Sequence, residues 1–109
     1  MRKTWIALIP LVVAGIANSA HAKALASNDQ YMCSWGAGTA AKAQELKLSG
    51  VSLYAARQKI QVYKFSKSWM RMMALGITEQ TYDSPSRFKP ASVRQSFYED
   101  CIRYKLARK

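Results

Sequence analysis

The sequence predicts an all-α protein, four to five short helices in one small bundle with the first and last helices joined by a disulfide. Three observations lead there. Apolar residues recur at helical spacing along most of the chain, and no strand-like alternation interrupts them. Glycine, proline and serine punctuate it at Ser49-Gly50, at Asp83-Ser84-Pro85-Ser86 and at Pro90. Two cysteines, Cys33 and Cys101, sit near opposite ends of the patterned region.

Residues 1–22 read as a cleavable secretory signal. Arg2 and Lys3 give a positive start, Trp5 to Ile16 an apolar core, and Ala20-His21-Ala22 an A-x-A cleavage site. The apolar core is shorter than the roughly 20 residues that span a bilayer. No cysteine follows it closely, which argues against a lipid anchor. Cleavage after Ala24 or Ala26 would change little. A mobile leader is expected over 23–28 and one helical domain over 29–109, with no transmembrane segment left after cleavage.

The first helix starts at Asn28 or Asp29 as cap and ends at Ser49-Gly50. Cys33, Ala37, Ala40, Ala41, Gln44 and Leu48 share one of its faces, and most of them are small. Gly36 and Gly38 each weaken the helix by about 1 kcal/mol relative to alanine, so close approach of another helix, the disulfide partner above all, is a physical use for this face. Ser52 caps a second helix with Leu53, Ala56, Ile60 and Tyr63 along one stripe. Val62, Phe65, Trp69 and Met72 repeat the spacing on a different azimuth. The mismatch predicts a break near Ser66, which could cap the third piece; the rival is one long helix between two partners. Leu75-Gly76 could interrupt that piece, with Ile77 to Tyr82 resuming it. Pro85 forbids helix in the turn. Pro90 suits the first turn of a last helix, along which Val93, Phe97, Cys101 and Tyr104 share a face. Arg103, Lys105, Arg108 and Lys109 crowd its end, where they complement the helix dipole.

Removing the signal leaves 87 residues with 15 basic and six acidic side chains, a net charge of +9. It also removes His21, the only histidine. Histidine triads, Cys–His dyads and histidine metal sites are then excluded from the mature domain. An even cysteine count in an exported chain favours Cys33–Cys101 as a disulfide over two free thiols or a metal site. The bridge would close a loop of roughly 69 residues, worth about 4 kcal/mol on the chain-entropy model. No phosphate loop, zinc spacing or dinucleotide fingerprint occurs, so no cofactor or metal is expected. Glu79 and Asp83, four apart, are the only carboxylate pair placed for acid–base work. Read as an ordinary solvated helix surface they need no chemistry, and no enzyme is expected.

Two surfaces are candidates for binding. Lys64, Lys67 and Arg71 would share a helix face as an anion-binding stripe. Trp69, Met70 and Met73 would form a partner patch, since methionine-rich surfaces adapt to what they touch, while Trp69 and Met72 turn to the core. Tyr31, Trp35, Tyr98 and Tyr104 are expected around the bridge.

The segment Leu48-Ser49-Gly50-Val51-Ser52, the turn from Tyr82 to Pro85 and the terminal Phe97-Tyr98-x-x-Cys101 give a pattern that resembles small exported helical proteins of proteobacteria. More distantly it is similar to the Tai family of type VI secretion immunity proteins, which are small, helical, exported and disulfide-bonded. The resemblance spans most of the mature chain and transfers no functional residue. The expectation is a non-enzymatic, periplasmic or secreted protein-interaction module, an inhibitor or immunity protein against an envelope-acting toxin being one form of it. The alternative is a cationic envelope-binding protein for anionic lipid, lipopolysaccharide or cell wall. Nucleic acid is not an expected partner of an exported chain.

Overall fold

The computed structural model describes residues 26–108. The expected signal, its cleavage site and the expected leader up to residue 25 lie outside the described residues. Four helices run in order: α1 Ser27–Leu48, α2 Leu53–Val62, α3 Ser68–Asp83 and α4 Pro90–Ala107. Among the described residues there is no strand.

Helix α1 is the central element. Helix α4 lies antiparallel along it, as four pairings in register show. Lys105 reaches Asp29 at 3.6 Å, Cys101 is bonded to Cys33 with 5.6 Å between Cα atoms, the Phe97 ring lies against Gly36, and Gln44 donates to the Phe88 carbonyl at 2.8 Å. Helix α3 runs parallel to α1, with Trp69 beside Trp35 at one end and the Thr81 carbonyl bonded to Lys47 at the other. Helix α2 lies antiparallel on α3.

The small face of α1 does what small residues permit. Cys33, Ala37, Ala40, Ala41 and Gln44 are buried. Gly36 is where the contact is closest: a Cβ there would stand 2.8 Å from Phe97 Cε1 and 2.9 Å from Met73 Cε, well inside the ~3.5–4.0 Å of ordinary carbon contact. Among the described residues, six of the nine buried hydrophobic side chains are alanine. Each alanine contributes little apolar area, so the helices must approach closely, and the disulfide supplements a thin core.

The helix ends carry their own explanations. After α1, Gly50 takes φ +88°, its N–H bonds the Lys47 carbonyl, and the Val51 N–H bonds the Leu46 carbonyl. This is the Schellman closure, which needs a left-handed residue that glycine supplies without strain. Ser52 caps α2, accepting from the Ala55 N–H at 3.1 Å. Pro90 opens α4 with Lys89 before it.

Three boundaries differ from the sequence expectation. Helix α1 starts at Ser27 with Ala26 before it and no side-chain cap, so Ser27 and Asn28 belong to the helix rather than to the leader. The break near Ser66 is real, but Lys67 precedes α3 without a side-chain cap, and Ser66 Oγ points to Met70 Sδ at 3.7 Å. Leu75-Gly76 does not interrupt α3, because one glycine costs less than the helix gains from packing on two neighbours.

The connection from α3 to α4 is held from below. Lys47 Nζ donates to the carbonyls of Thr81 at 3.1 Å, Ser84 at 2.8 Å and Ser86 at 2.8 Å. Gln44 Nε2, on a side chain that is 1 % exposed, donates to Ser86 and Phe88. Two residues one turn apart on α1 thus satisfy carbonyls that a proline-containing turn leaves without helical partners.

Candidate functional site: an apolar groove rimmed by lysines

An open groove of about 720 Å³ runs between α1 and α2. Its floor is the inward stripe of α3: Met70, Ala74 and Thr78, all buried. Trp35, Thr39, Ala43 and Leu46 line the α1 wall at helical spacing, and Ala56 and Ile60 line the α2 wall. Tyr31, Tyr63 and Phe65 stand at one end. Lys42, Lys59 and Lys64 share the lining, and no aspartate or glutamate does.

Polar ties fix α2 to α3 and leave the groove open on the α1 side. Tyr82 donates its hydroxyl to the Val51 carbonyl at 2.7 Å, and burial pushes the Tyr82 phenol above its ordinary pKa. Arg57 pairs with Glu79 at 3.1 Å. Arg71 donates from its guanidinium to the Tyr63 carbonyl and lies 5.3 Å from the centre of the Phe65 ring. The aromatic end is a connected cluster: Trp35 meets Trp69 edge-on at 5.3 Å and Phe65 at 6.1 Å, and Tyr31 meets Trp69 at 6.3 Å. Edge-to-face pairs of this kind add about 0.5–1.5 kcal/mol each beyond their area.

The binding candidates read from sequence are redistributed. Lys64, Lys67 and Arg71 do not form a helical stripe. Lys64 and Lys67 lie in the 63–67 connection, and Arg71 is folded inward as the clamp on Tyr63. Lys64 instead joins the groove rim. The patch of Trp69, Met70 and Met73 is also dispersed: Met70 is 3 % exposed in the groove floor, Met73 packs against Gly36, and Trp69 is half-buried in the aromatic cluster. Met72, expected in the core, is 79 % exposed, and Val62 is 76 % exposed. The reason is phase. The non-helical 63–67 segment breaks the azimuth, so a stripe drawn from Val62 through Met72 does not exist on α3, whose inward positions are Met70, Ala74, Ile77 and Thr78.

Glu79 is occupied by Arg57, and Asp83 ends α3 on the surface. Tyr31 and Trp35 lie on the α3 side of α1 rather than around the bridge, while Tyr98 and Tyr104 face outward. Lys42 and Lys59 were not anticipated. The signal for Lys42 was its place one turn from Gly38 and Leu46 on α1; Lys59 gave none, because its significance depends on where α2 lies. No described helix is long and apolar enough to cross a membrane. Comparison with family models, with curated proteins and with solved structures finds no match to this chain.

Proposed function

We propose that this chain is a non-enzymatic binding module of the cell envelope, exported by its N-terminal signal, and that the α1–α2 groove holds its partner. The observation that carries the reading is an open groove between two helices whose lining is mainly apolar. A domain with so few apolar side chains to bury gains most by closing such a gap, and concave apolar sites with a few polar groups at the edge are the usual form of a binding site.

One form of the reading is a protein-interaction module, including an inhibitor or immunity role against an envelope-acting toxin. The groove would then receive an amphipathic helix. The lysine rim favours a second form, binding of an anionic envelope amphiphile, because three ammonium groups flank the apolar floor without a carboxylate in the lining.

The test compares the mature, oxidised protein with Ile60→Glu, which puts a carboxylate on the groove wall. Both are immobilised and exposed to envelope extracts at low and high salt, and retained proteins and lipids are identified. A partner held by the wild type and lost from Ile60→Glu supports the groove. A partner retained equally by both places binding elsewhere and overturns it.

A further inference from the structure

Resting on the groove as the binding site, we infer that its occupant is a free long-chain fatty acid, with the chain along the mainly apolar lining and the carboxylate between Lys59 and Lys64. Charge and length converge on it.

Lys42 is shared with Glu45 at 3.4 Å. Lys59, in the last turn of α2, and Lys64, just past its end, face no carboxylate in any ion pair among the described residues. Both sit on one wall near the aromatic end. An anion there meets two positive charges, and a cation meets only repulsion.

The α1 wall from Tyr31 to Leu46 is about 22 Å long at 1.5 Å per residue. A carbon chain with bonds of about 1.5 Å at about 111° extends about 1.25 Å per bond, so sixteen carbons reach about 19 Å. The volume of about 720 Å³ falls within the ~300–1,000 Å³ of small-ligand sites.

Thr39 Oγ1 donates to the Trp35 carbonyl at 3.0 Å, and Ser66 Oγ is turned to Met70. The charged donors of the lining are its lysines, and a carboxylate needs no more than two of them.

Trp35 lines the groove, and it and Trp69 are the tryptophans of the chain past the signal, so their fluorescence reads occupancy. The test titrates the mature, oxidised protein with palmitate below its micelle concentration, by tryptophan emission and by calorimetry. One saturable site is expected. Hexadecanol, with the same chain and no charge, should bind about tenfold more weakly, and octanoate about 100-fold more weakly. The Lys59→Glu/Lys64→Glu variant changes two exposed side chains, so far-UV circular dichroism should be unchanged. It should lower palmitate affinity about tenfold and leave hexadecanol where it was. Thr39→Trp, which fills the groove, should abolish both. Salt should weaken palmitate and not hexadecanol, because exposed charges are screened beyond about 8–10 Å.

Absence of saturable palmitate binding overturns the inference. So does equal binding of palmitate and hexadecanol with no effect of charge reversal, and so does tighter binding of lysophosphatidylglycerol than of palmitate. If palmitate fails while Ile60→Glu still loses an envelope partner, the groove reading stands and the fatty acid falls; a protein helix is then the occupant. If both fail, both readings fall.

Discussion

Gly36 and Gly76 are both interior helix glycines, and replacing each with alanine should move stability in opposite directions. Alanine gains about 0.8–1 kcal/mol over glycine in a helix interior. At Gly76 nothing lies within 4 Å of the new Cβ, so Gly76→Ala should show that gain, an increase in Tm of about 4–8 °C for a domain of this size. At Gly36 the same gain meets a Cβ placed 2.8 Å from Phe97 Cε1 and 2.9 Å from Met73 Cε. The methionine terminus can rotate away at little cost. The phenylalanine ring cannot, because Cys101, one turn on, is tied to Cys33 just before Gly36 and holds the two helices together. Overpacking of this kind costs about 1–3 kcal/mol, so net of the helix gain Gly36→Ala should come out about 0–2 kcal/mol less stable than the wild type. Urea denaturation of the oxidised proteins, followed by circular dichroism, measures both. The explanation also predicts a coupling: in a Cys33→Ala/Cys101→Ala background α4 can withdraw, and the Gly36→Ala penalty should shrink toward zero. Equal stabilisation by the two alanines, or a penalty unchanged without the bridge, would refute the close-approach argument.

Other contacts give further expectations. Lys47→Met deletes three charge-assisted bonds to the carbonyls of Thr81, Ser84 and Ser86; partial rehydration of those half-buried groups leaves a loss of about 2–4 kcal/mol, and an unshifted urea midpoint would show that the linker does not need the clamp. Tyr82→Phe removes the bond to Val51 and should cost about 1 kcal/mol at neutral pH. Because the Tyr82 phenol is raised by burial in the folded state, the unfolded chain releases that proton first, so its contribution is fully present below about pH 10 and is lost as pH rises through the folded value. The difference in stability between wild type and Tyr82→Phe should therefore narrow above pH 10, and a constant difference up to pH 11 would contradict it. Reduction of Cys33–Cys101, which are 68 residues apart, should cost about 4 kcal/mol on the chain-entropy model; a loss below about 1 kcal/mol would mean that the helices hold their register without the bond.

Features set by residues close in sequence were legible, and features set by the placement of one helix against another were not. The Gly50 closure, the Ser52 cap, Pro90 at the start of α4 and the small face around Cys33 each follow from local chemistry. The pairing of α1 with α4 followed from two cysteines, because a bond between early and late positions leaves few ways to lay the helices. The methionines show the limit. Trp69-Met70-Arg71-Met72-Met73 contains an apolar residue on nearly every azimuth, so periodicity could not decide which one turns inward once the chain left the helix at residues 63–67. Ile77 and Thr78 decide it, by continuing the Met70–Ala74 stripe beneath the groove.

The groove itself is a consequence of how α2 is tethered. A ten-residue helix joined to α1 by a tight turn would ordinarily fold back along α1 and fill the space beside it. Here the polar ties of α2 and its flanks run to α3 instead: Val51 to Tyr82, Arg57 to Glu79 and Tyr63 to Arg71. They span the whole length of α2, from the residue before its cap to the residue after its end. Helix α1 meanwhile spends its small face on α4 and the Lys47–Gln44 clamp on the linker, which leaves Trp35, Thr39 and Leu46 along the groove wall only half-buried. The apolar gap between α1 and α2 is thus maintained by hydrogen bonds and an ion pair on the far side of α2. Loosening those ties should let α2 close on α1, so a variant such as Arg71→Met, which releases Tyr63, should lose groove binding without altering any lysine on the rim. A retained ligand in Arg71→Met would show that the groove stays open without its clamp.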